Sequence, residues 1–413
     1  MPSIEGLDAR SAALRLLDAV LRQGRTLDSA AATIRGLSPS DHALAVAIAG
    51  ETLRRIPDLD GLIDGATRQS LPGDSKARMV LRLALAQKIG LGTPDHAVVS
   101  TALPLVDGGP RRLVHGVLGT LLRRGLPAID APRLPDEVED RWRAAWGEAT
   151  VEAARRQVGT RPALDLSFAD DAAARAYGGA SLAPRHVRVQ SRPVIDLPDF
   201  GAGRWWVQDL AASLPARLIP TDARDVLDLC AAPGGKTMQL AAAGHRVTSV
   251  DASGSRLERL RENLDRTHLK AELVQADALA WEPERRFDAI LLDAPCSATG
   301  TFRRHPEVLY RARPGVIAES AELQARLLDR AARWVNPGGS LVYSVCSLEP
   351  EEGEQVIEAF LAGSGFAIDP PKPGELPGFV TPSPQGSVRI LPGLLENHGG
   401  LDGFFMARLV RGG

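Results

Sequence analysis

Strand-like and helix-like segments alternate along the second half of the chain, and this alternation constrains the fold more than any other feature of the sequence. The pattern predicts βαβ units, and therefore a doubly wound, mostly parallel sheet of the Rossmann-like α/β class. Ligands of such sheets bind outside the carboxyl ends of the strands, so the loops after the strands should carry the chemistry. The predicted strands are 226–229, 246–250, 271–274, 289–292, 339–344 and 403–409, and the predicted helices between them are 238–243, 255–267 and 318–334.

The first part of the chain has a different pattern. Apolar residues recur there at helical spacing without strand-like alternation, which predicts an all-α domain. Prolines then become frequent, around one amphipathic helix at about 136–158 and short strand-like segments at 163–168 and 187–190. This second stretch predicts a small α+β linker domain. The predicted domains are therefore 1–128, 129–204 and 205–413.

Composition and charge exclude several classes of protein. The 413 residues carry a formal net charge of −2, so a nucleic acid would have to bind through local basic patches and not through the overall charge. The three cysteines are too few for a disulfide scaffold and lack the spacing of metal ligands. The sequence has no signal peptide and no apolar run near the roughly 20 residues of a membrane span. We expect a cytoplasmic monomer without a bound metal or a membrane partner.

A glycine-containing loop follows the first predicted strand of the α/β domain and leads into a helix. Its sequence over 228–237 is Asp-Leu-Cys-Ala-Ala-Pro-Gly-Gly-Lys-Thr. Glycine lets the backbone approach a ligand closely, and a helix N-terminus attracts a carboxylate or a phosphate. A Walker-type ATP site is excluded, because that motif requires glycine five positions before Gly235 and residue 230 is cysteine.

Carboxylates follow the next two predicted strands. Asp251 ends the second strand, where it can accept hydrogen bonds from both hydroxyls of a ribose. Asp251 can also cap the helix that follows; the two roles are compatible, and the loop upstream favours ribose binding. Asp277 ends the third strand and can accept a hydrogen bond from the exocyclic amine of an adenine.

Two of the three cysteines, Cys296 and Cys346, also follow predicted strands. A free cysteine is most often a small buried apolar residue, and for a lone cysteine that interpretation is the usual one. Here both lie in polar, turn-forming segments on the ligand-binding edge of the sheet. The fold should therefore bring them into one pocket, although fifty positions separate them in the sequence.

Methylation of cytosine at carbon 5 is a reaction that uses such a pair. Carbon 5 becomes nucleophilic only after a thiolate has added to carbon 6, which is a case of covalent catalysis. A carboxylic acid can assist by protonating N3, and a base must later remove the proton from carbon 5. Cys346, Asp293 and Cys296 can act as nucleophile, acid and base. The chemistry alone accepts either cysteine as the nucleophile.

Segments of the α/β domain resemble the Sun/NOL1/NOP2 family of RNA cytosine-5 methyltransferases, which use S-adenosylmethionine (AdoMet). These segments are 206–209, 228–237, 293–302, 344–352 and 402–405. The resemblance implies that Cys346 is the nucleophile and that Cys296 assists release, whereas the Pro-Cys nucleophile of DNA cytosine methyltransferases would correspond to Cys296. A departure is Ala298, where the family more often has glycine. The implied AdoMet contacts are Cys230, Ala231, Ala232, Pro233, Gly234, Gly235, Lys236, Asp251, Asp277 and Asp293.

The helical domain resembles NusB-like RNA-binding modules over 41–55, 81–97 and 113–124. This combination implies the branch of the family that methylates bacterial 16S rRNA, so RNA is the expected partner. A tRNA cytosine-5 methyltransferase is an alternative, and so is a NusB-like RNA-binding protein with an inactive methyltransferase fold. The pair Arg303-Arg304, which follows the Cys296 loop, is predicted to contact RNA phosphates.

Overall fold

The computed structural model describes residues 5–412, which form two compact units. The first unit contains residues 5–160 and Phe302–Arg311, and the second contains residues 161–301 and 312–412. The helices are α1 (Leu7–Leu21), α2 (Leu27–Ala31), α3 (Pro39–Gly65), α4 (Lys76–Leu91), α5 (Asp95–Ala102), α6 (Gly108–Arg124), α7 (Asp136–Trp146), α8 (Glu148–Gly159), α9 (Asp171–Tyr177), α10 (Leu210–Arg217), α11 (Gly235–Ala242), α12 (Gly254–Thr267), α13 (Val308–Arg311), α14 (Pro314–Arg333) and α15 (Glu354–Gly363). The strands are β1 (Leu164–Phe168), β2 (His186–Val189), β3 (Trp205–Val207), β4 (Asp225–Leu229), β5 (Arg246–Asp251), β6 (Glu272–Gln275), β7 (Phe287–Asp293), β8 (Val335–Val345), β9 (Phe366–Ile368), β10 (Val388–Ile390) and β11 (Phe404–Arg411).

Over its described residues, the first unit is all-α, as the helical spacing of its apolar residues predicts. The apolar faces of α1, α3, α4 and α6 form one core. Leu17 of α1, Ile48 of α3 and Leu81 of α4 are fully buried in it. Burial of these faces stabilises helices that would be marginal in isolation.

Residues 129–160, the first part of the predicted linker domain, belong to the first unit. The single helix predicted at 136–158 is two helices, α7 and α8, because Gly147 adopts φ 82° and lets the chain turn between them. Arg54 of α3 donates a hydrogen bond to Val158 O at 3.0 Å and so joins α8 to the helical core. The boundary between the compact units therefore divides the predicted linker domain at residue 160.

Phe302–Arg311 belongs to the first unit, although it lies between β7 and β8 in the sequence. The ring of Phe302 packs against Trp142 with 5.4 Å between the centroids. Tyr310 Oη donates to Leu53 O at 2.7 Å, and the buried Glu307 carboxylate accepts from Leu27 N at 3.1 Å. No sequence pattern predicts this excursion of the chain.

The second unit contains a sheet with the strand order β10-β11-β8-β7-β4-β5-β6, in which β9 also pairs with β11. Neighbours from β6 to β8 are parallel, and β11 is antiparallel to β8. The predicted Rossmann-like, mostly parallel sheet is therefore confirmed. No sequence pattern predicts β3, β9 and β10, which are only three residues long.

A small antiparallel sheet of order β2-β1-β3 precedes the large one and belongs to the same unit. Its Asp165 carboxylate accepts hydrogen bonds from Arg188 at 2.6 and 2.7 Å and from Leu210 N at 2.9 Å. Arg188 also donates to His398 O and Gly400 O at 2.7 and 2.8 Å. These buried contacts explain why residues 161–204 belong to the same unit as the large sheet.

The parallel strands place the sequence motifs at one edge of the large sheet. The last residues of β4, β5, β6, β7 and β8 are Leu229, Asp251, Gln275, Asp293 and Val345. The glycine loop, Asp277, Cys296 and Cys346 follow four of these strands. Over residues 5–412, none of the helices combines the length and the apolar character needed to cross a bilayer.

Candidate active site

The glycine loop between β4 and α11 has a backbone that depends on glycine. Cys230 and Gly234 adopt φ 58° and 104°, both in the left-handed region. A Cβ placed on Gly234 would lie 2.0 Å from Leu260 Cδ1, so a larger residue would force a shift. α11 begins at Gly235, and the first N–H groups of a helix have no acceptor within it. The loop therefore presents backbone donors at the positive end of a helix dipole.

Asp251 is fixed at the tip of β5 by backbone donors. Its Oδ2 accepts from Ala232 N at 3.1 Å, and its Oδ1 accepts from Ser253 N at 2.9 Å. Ser253 caps α12 by accepting from Arg256 N, so the N-cap role for Asp251 is wrong. Each carboxylate oxygen has a second lone pair, which leaves Asp251 able to accept from ribose hydroxyls.

Asp277 lies two residues beyond β6 and is exposed, with Oδ1 accepting from Leu279 N at 2.9 Å. Together the loop, Asp251 and Asp277 offer backbone donors for an anion and carboxylates for hydroxyl, amine or cationic groups. This set fits AdoMet, which carries a carboxylate, a sulfonium cation, a ribose and an adenine. The adenine contact of Asp277 stays a prediction.

Asp293 at the end of β7 is held by two side chains. Lys236 Nζ lies 2.6 Å from its Oδ2, and Ser344 Oγ donates to its Oδ1 at 2.9 Å. Lys236 also sits over the ring of Phe404, with Nζ 5.2 Å from the centroid. The sequence places Lys236 and Asp293 in separate motifs, and the fold joins them into an ion pair in which Lys236 is buried and Asp293 is partly exposed.

Cys296 and Cys346 meet at the ends of β7 and β8. Their Sγ atoms are 3.5 Å apart, and Gly300 N donates to Cys346 O at 3.0 Å between the two loops. The hydrogen bond with Cys346 and burial raise the pKa of the Cys296 thiol well above its usual value. The structure thus brings together the two cysteines that the sequence predicts to share a pocket. Both residues are partly buried.

Cys230, the third cysteine, lies in the glycine loop and does not join this pair. Burial raises the pKa of its thiol to about 12. A thiol with a pKa that high is protonated at neutral pH and is a poor nucleophile. Its place is therefore structural or in cofactor binding, and not covalent catalysis.

Glu352 contacts the loops that carry Cys296 and Cys346, and the sequence motifs assign it no role. Its carboxylate accepts from Ser297 N at 2.8 Å and also from the hydroxyls of Ser297 and Ser347. These serines directly follow Cys296 and Cys346. The repeated Cys-Ser pair is the signal in the sequence that points to a shared acceptor.

Ala298, where the family more often has glycine, has a backbone conformation that favours glycine. Ala298 adopts φ 59°, a left-handed conformation that costs an alanine about 1–2 kcal/mol and a glycine nothing comparable. Two residues on, a Cβ on Gly300 would lie 2.1 Å from Gly403 O. Gly403 N in turn donates to Gly300 O at 2.8 Å, so the segment 402–405 packs directly on the Cys296 loop.

The predicted RNA contacts differ in accessibility. Arg303 is 2% exposed, because it lies in the Phe302–Arg311 segment that packs within the first unit. An RNA contact of Arg303 would need this side chain to become accessible, and it stays a prediction. Arg304 is exposed, and its contact with RNA stays a prediction.

Family models match most of the chain. A model described as 16S rRNA methyltransferase RsmB/F matches residues 215–410, and the NusB family model matches residues 7–123. Ribosomal RNA small subunit methyltransferase B of Xylella fastidiosa strain Temecula1 is 36% identical over 434 aligned residues, covering 98% of this chain and 99% of that protein. The protein of the same name from Klebsiella pneumoniae strain 342 is 32% identical, with 98% of each chain covered.

Solved structures share the fold over long stretches. The crystal structure of PH0851 matches with a TM-score of 0.72 and 24% identity, covering 98% of this chain and 99% of that one. The methyltransferase homolog protein from Pyrococcus horikoshii matches with a TM-score of 0.56 and 26% identity, covering 71% of this chain and 98% of that one. The first likeness extends over both compact units.

Proposed function

Because the chain belongs to the RsmB/F family of 16S rRNA methyltransferases, we propose that it transfers a methyl group from AdoMet to carbon 5 of a cytosine in 16S rRNA. The observation that carries the choice of cytosine is the pair of thiols 3.5 Å apart, beside the carboxylate of Asp293. The reaction needs a nucleophile at carbon 6 of the pyrimidine and a base at the neighbouring carbon 5. Two neighbouring thiols can supply these two groups.

The helical unit supports the choice of RNA. We propose that residues 7–123, which match the NusB family, contact the RNA outside the target nucleotide. Arg304 is a candidate phosphate contact near the catalytic loop. We further propose that the protein acts as a cytoplasmic monomer.

The first half of the proposed reaction is an addition to the base. Cys346 Sγ, as a thiolate, bonds to carbon 6, and the electron pair of the 5,6 double bond moves toward N3. N3 takes a proton from Asp293, and Lys236 Nζ at 2.6 Å can replace that proton. Carbon 5 is then an enamine carbon and a nucleophile. AdoMet, when bound, supplies an electrophilic methyl group.

The second half releases the product. Cys296, as a thiolate, removes the proton from carbon 5, the bond between carbon 6 and Cys346 Sγ breaks, and N3 returns its proton. The raised pKa of Cys296 keeps the thiolate scarce at neutral pH. We therefore expect release to be slow and to become faster as the pH rises.

Bisulfite sequencing of rRNA tests this function. In a host strain that lacks its own 16S rRNA cytosine-5 methyltransferase of this family, the wild-type gene should restore one protected cytosine in 16S rRNA. Cys346→Ala should restore none and should form no covalent RNA adduct on denaturing gels. Cys296→Ala should accumulate the adduct, because addition proceeds and release stalls.

Each alternative gives a different result. Protection confined to tRNA would contradict the 16S substrate. Adducts that persist in Cys346→Ala and vanish in Cys296→Ala would reverse the two roles. Absence of AdoMet binding by calorimetry, together with normal binding of RNA, would favour the RNA-binding protein with an inactive methyltransferase fold.

A further inference from the structure

The Glu352 side chain is a carboxylate buried between the two catalytic loops, with 0% of the residue exposed. It lies at the end of the short helical turn Pro350–Glu352, after β8. Its Oε1 accepts from Ser297 N at 2.8 Å and from Gln324 Nε2 at 3.1 Å. Its Oε2 accepts from the hydroxyls of Ser297 and Ser347. Four neutral donors from three elements therefore converge on one carboxylate.

The partners of Glu352 are the residues next to the reacting thiols. Ser297 and Ser347 follow Cys296 and Cys346, and their hydroxyl oxygens are 3.2 Å apart. Thr299 Oγ1 lies 3.3 Å from Ser347 Oγ and accepts from Leu348 N at 2.9 Å, which adds a second link between the loops. A displacement of either serine therefore displaces the neighbouring cysteine.

A carboxylate suits this position better than any other side chain. It only accepts hydrogen bonds, and its two oxygens offer about four lone-pair sites for the four donors. A glutamine would present two acceptor sites and two donors, and the serine hydroxyls can rotate to accept from its amide. An aspartate keeps the charge but is one methylene shorter and cannot reach the same partners.

Resting on the function proposed above, we propose that Glu352 is a positioning residue for the methyl transfer. It holds Ser297 and Ser347 and thereby sets the separation of the Cys296 and Cys346 sulfur atoms. Glu352 does not touch the base, because its four acceptor sites face protein donors. Its contribution is geometric, so size and hydrogen bonding at this position matter more than charge.

The relative kcat values of three Glu352 variants distinguish a requirement for side-chain geometry from a requirement for negative charge. We expect Glu352→Ala and Glu352→Asp to lower kcat about 100-fold, the effect of misplacing a catalytic group by about 1 Å. Glu352→Gln should retain kcat within about tenfold, because it preserves size and can keep the contacts to Ser297 N and both hydroxyls. KM for RNA and Kd for AdoMet should change less than about threefold in all three variants.

Glu351→Gln is the matched control, because Glu351 is the exposed neighbour of Glu352. It should leave kcat and KM unchanged. The proposal is overturned if Glu352→Asp retains activity while Glu352→Gln loses it, since charge would then be the requirement. It is equally overturned if all Glu352 variants retain wild-type kcat.

Single serine variants test the two sides of the carboxylate separately. Ser347→Ala, combined with Cys296→Ala, should reduce the adduct that Cys296→Ala alone accumulates, because Ser347 adjoins the nucleophile. Ser297→Ala alone should let the adduct form and should slow its release. If both substitutions only lowered Tm, by equal amounts, and left the kcat of the folded protein unchanged, the proposal would be contradicted.

A measurement without RNA keeps this proposal distinct from the function itself. Dibromobimane becomes fluorescent when it bridges two thiols, and it should bridge Cys296 and Cys346 in the wild type and in Glu352→Gln. Glu352→Ala should bridge them more slowly while its AdoMet affinity is kept. Normal bridging in Glu352→Ala would overturn the proposal, whereas normal bridging in a wild type without methyltransferase activity would contradict only the function.

Discussion

At the scale of single residues, Asp228 is a buried acid whose hydrogen-bonding capacity is only partly used. It is fully buried in β4, just before the glycine loop, where Oδ2 accepts from Thr237 Oγ1 at 2.6 Å. Its Oδ1 has no hydrogen-bond partner among the described residues. Burial raises its pKa from 3.8 to about 7, with smaller contributions from the nearby Asp293 and Asp251 carboxylates.

This pKa predicts how stability depends on pH. Between pH 4 and 7, roughly, the unfolded chain loses the Asp228 proton while the folded chain keeps it, so the folded state binds more protons. The free energy of unfolding should therefore fall as the pH rises through this window. Asp228→Asn is neutral throughout, and its urea denaturation curves measured across the same window should show a shallower pH dependence. Parallel pH profiles for the two proteins would contradict the raised pKa.

At the scale of elements, the turn into α11 shapes the predicted cofactor site. Gly234 and Gly244, before and just after α11, both adopt positive φ, 104° and 94°. A Cβ on Gly234 meets Leu260, whereas a Cβ on Gly244 meets nothing within 4 Å. We expect Gly234→Ala and Gly244→Ala each to lose about 1–3 kcal/mol of stability through backbone strain. Only Gly234→Ala should also weaken AdoMet binding, by more than about tenfold, because only it displaces the loop. Calorimetric titration of both variants checks this, and equal AdoMet affinities would refute it.

The spacing of apolar residues predicts helices and strands well where one or both faces of the element are buried. The strands β4, β5, β7, β8 and β11 coincide with predicted ones to within a few residues, because most of their side chains are buried and many of these are apolar. The three-residue strands have too few side chains to show a period. The division between α7 and α8 depends on one backbone angle at Gly147, which an apolar pattern spanning the turn conceals.

The motifs predict which residues meet at the site, because parallel strands bring their carboxyl ends together. They predict the pairing of Cys296 with Cys346. They do not predict the ion pair of Lys236 with Asp293 or the role of Glu352, because side-chain partners depend on three-dimensional distances between separate loops. The sequence also does not show that Arg303 is buried, because burial depends on residues that are distant along the chain.

At the scale of the whole molecule, the chain leaves the second unit after Thr301 and returns to it at Ala312. The first unit therefore depends on residues that the sequence order assigns to the methyltransferase. We expect Phe302→Ala to destabilise the first unit by about 3–5 kcal/mol, because the ring packs on the buried Trp142. Phe360→Ala, in the core of the second unit, is the matched control.

Hydrogen exchange followed by mass spectrometry distinguishes the two variants. Phe302→Ala should accelerate amide exchange in α3, α7 and 302–311, and Phe360→Ala should accelerate it in α14 and α15. Faster exchange confined to the second unit in Phe302→Ala would show that 302–311 belongs there instead. An excursion of this kind cannot be predicted from a sequence, because its apolar residues are compatible with either core.

The 3.5 Å separation of Cys296 and Cys346 has a practical consequence for handling the protein. Two sulfurs so close need only small side-chain rotations to bond, and dissolved oxygen or peroxide can accept the two electrons that bonding releases. Oxidation would consume the proposed nucleophile and the proposed base in a single event. A preparation that loses methyltransferase activity in air should recover it with dithiothreitol, and storage under a thiol reductant should prevent the loss.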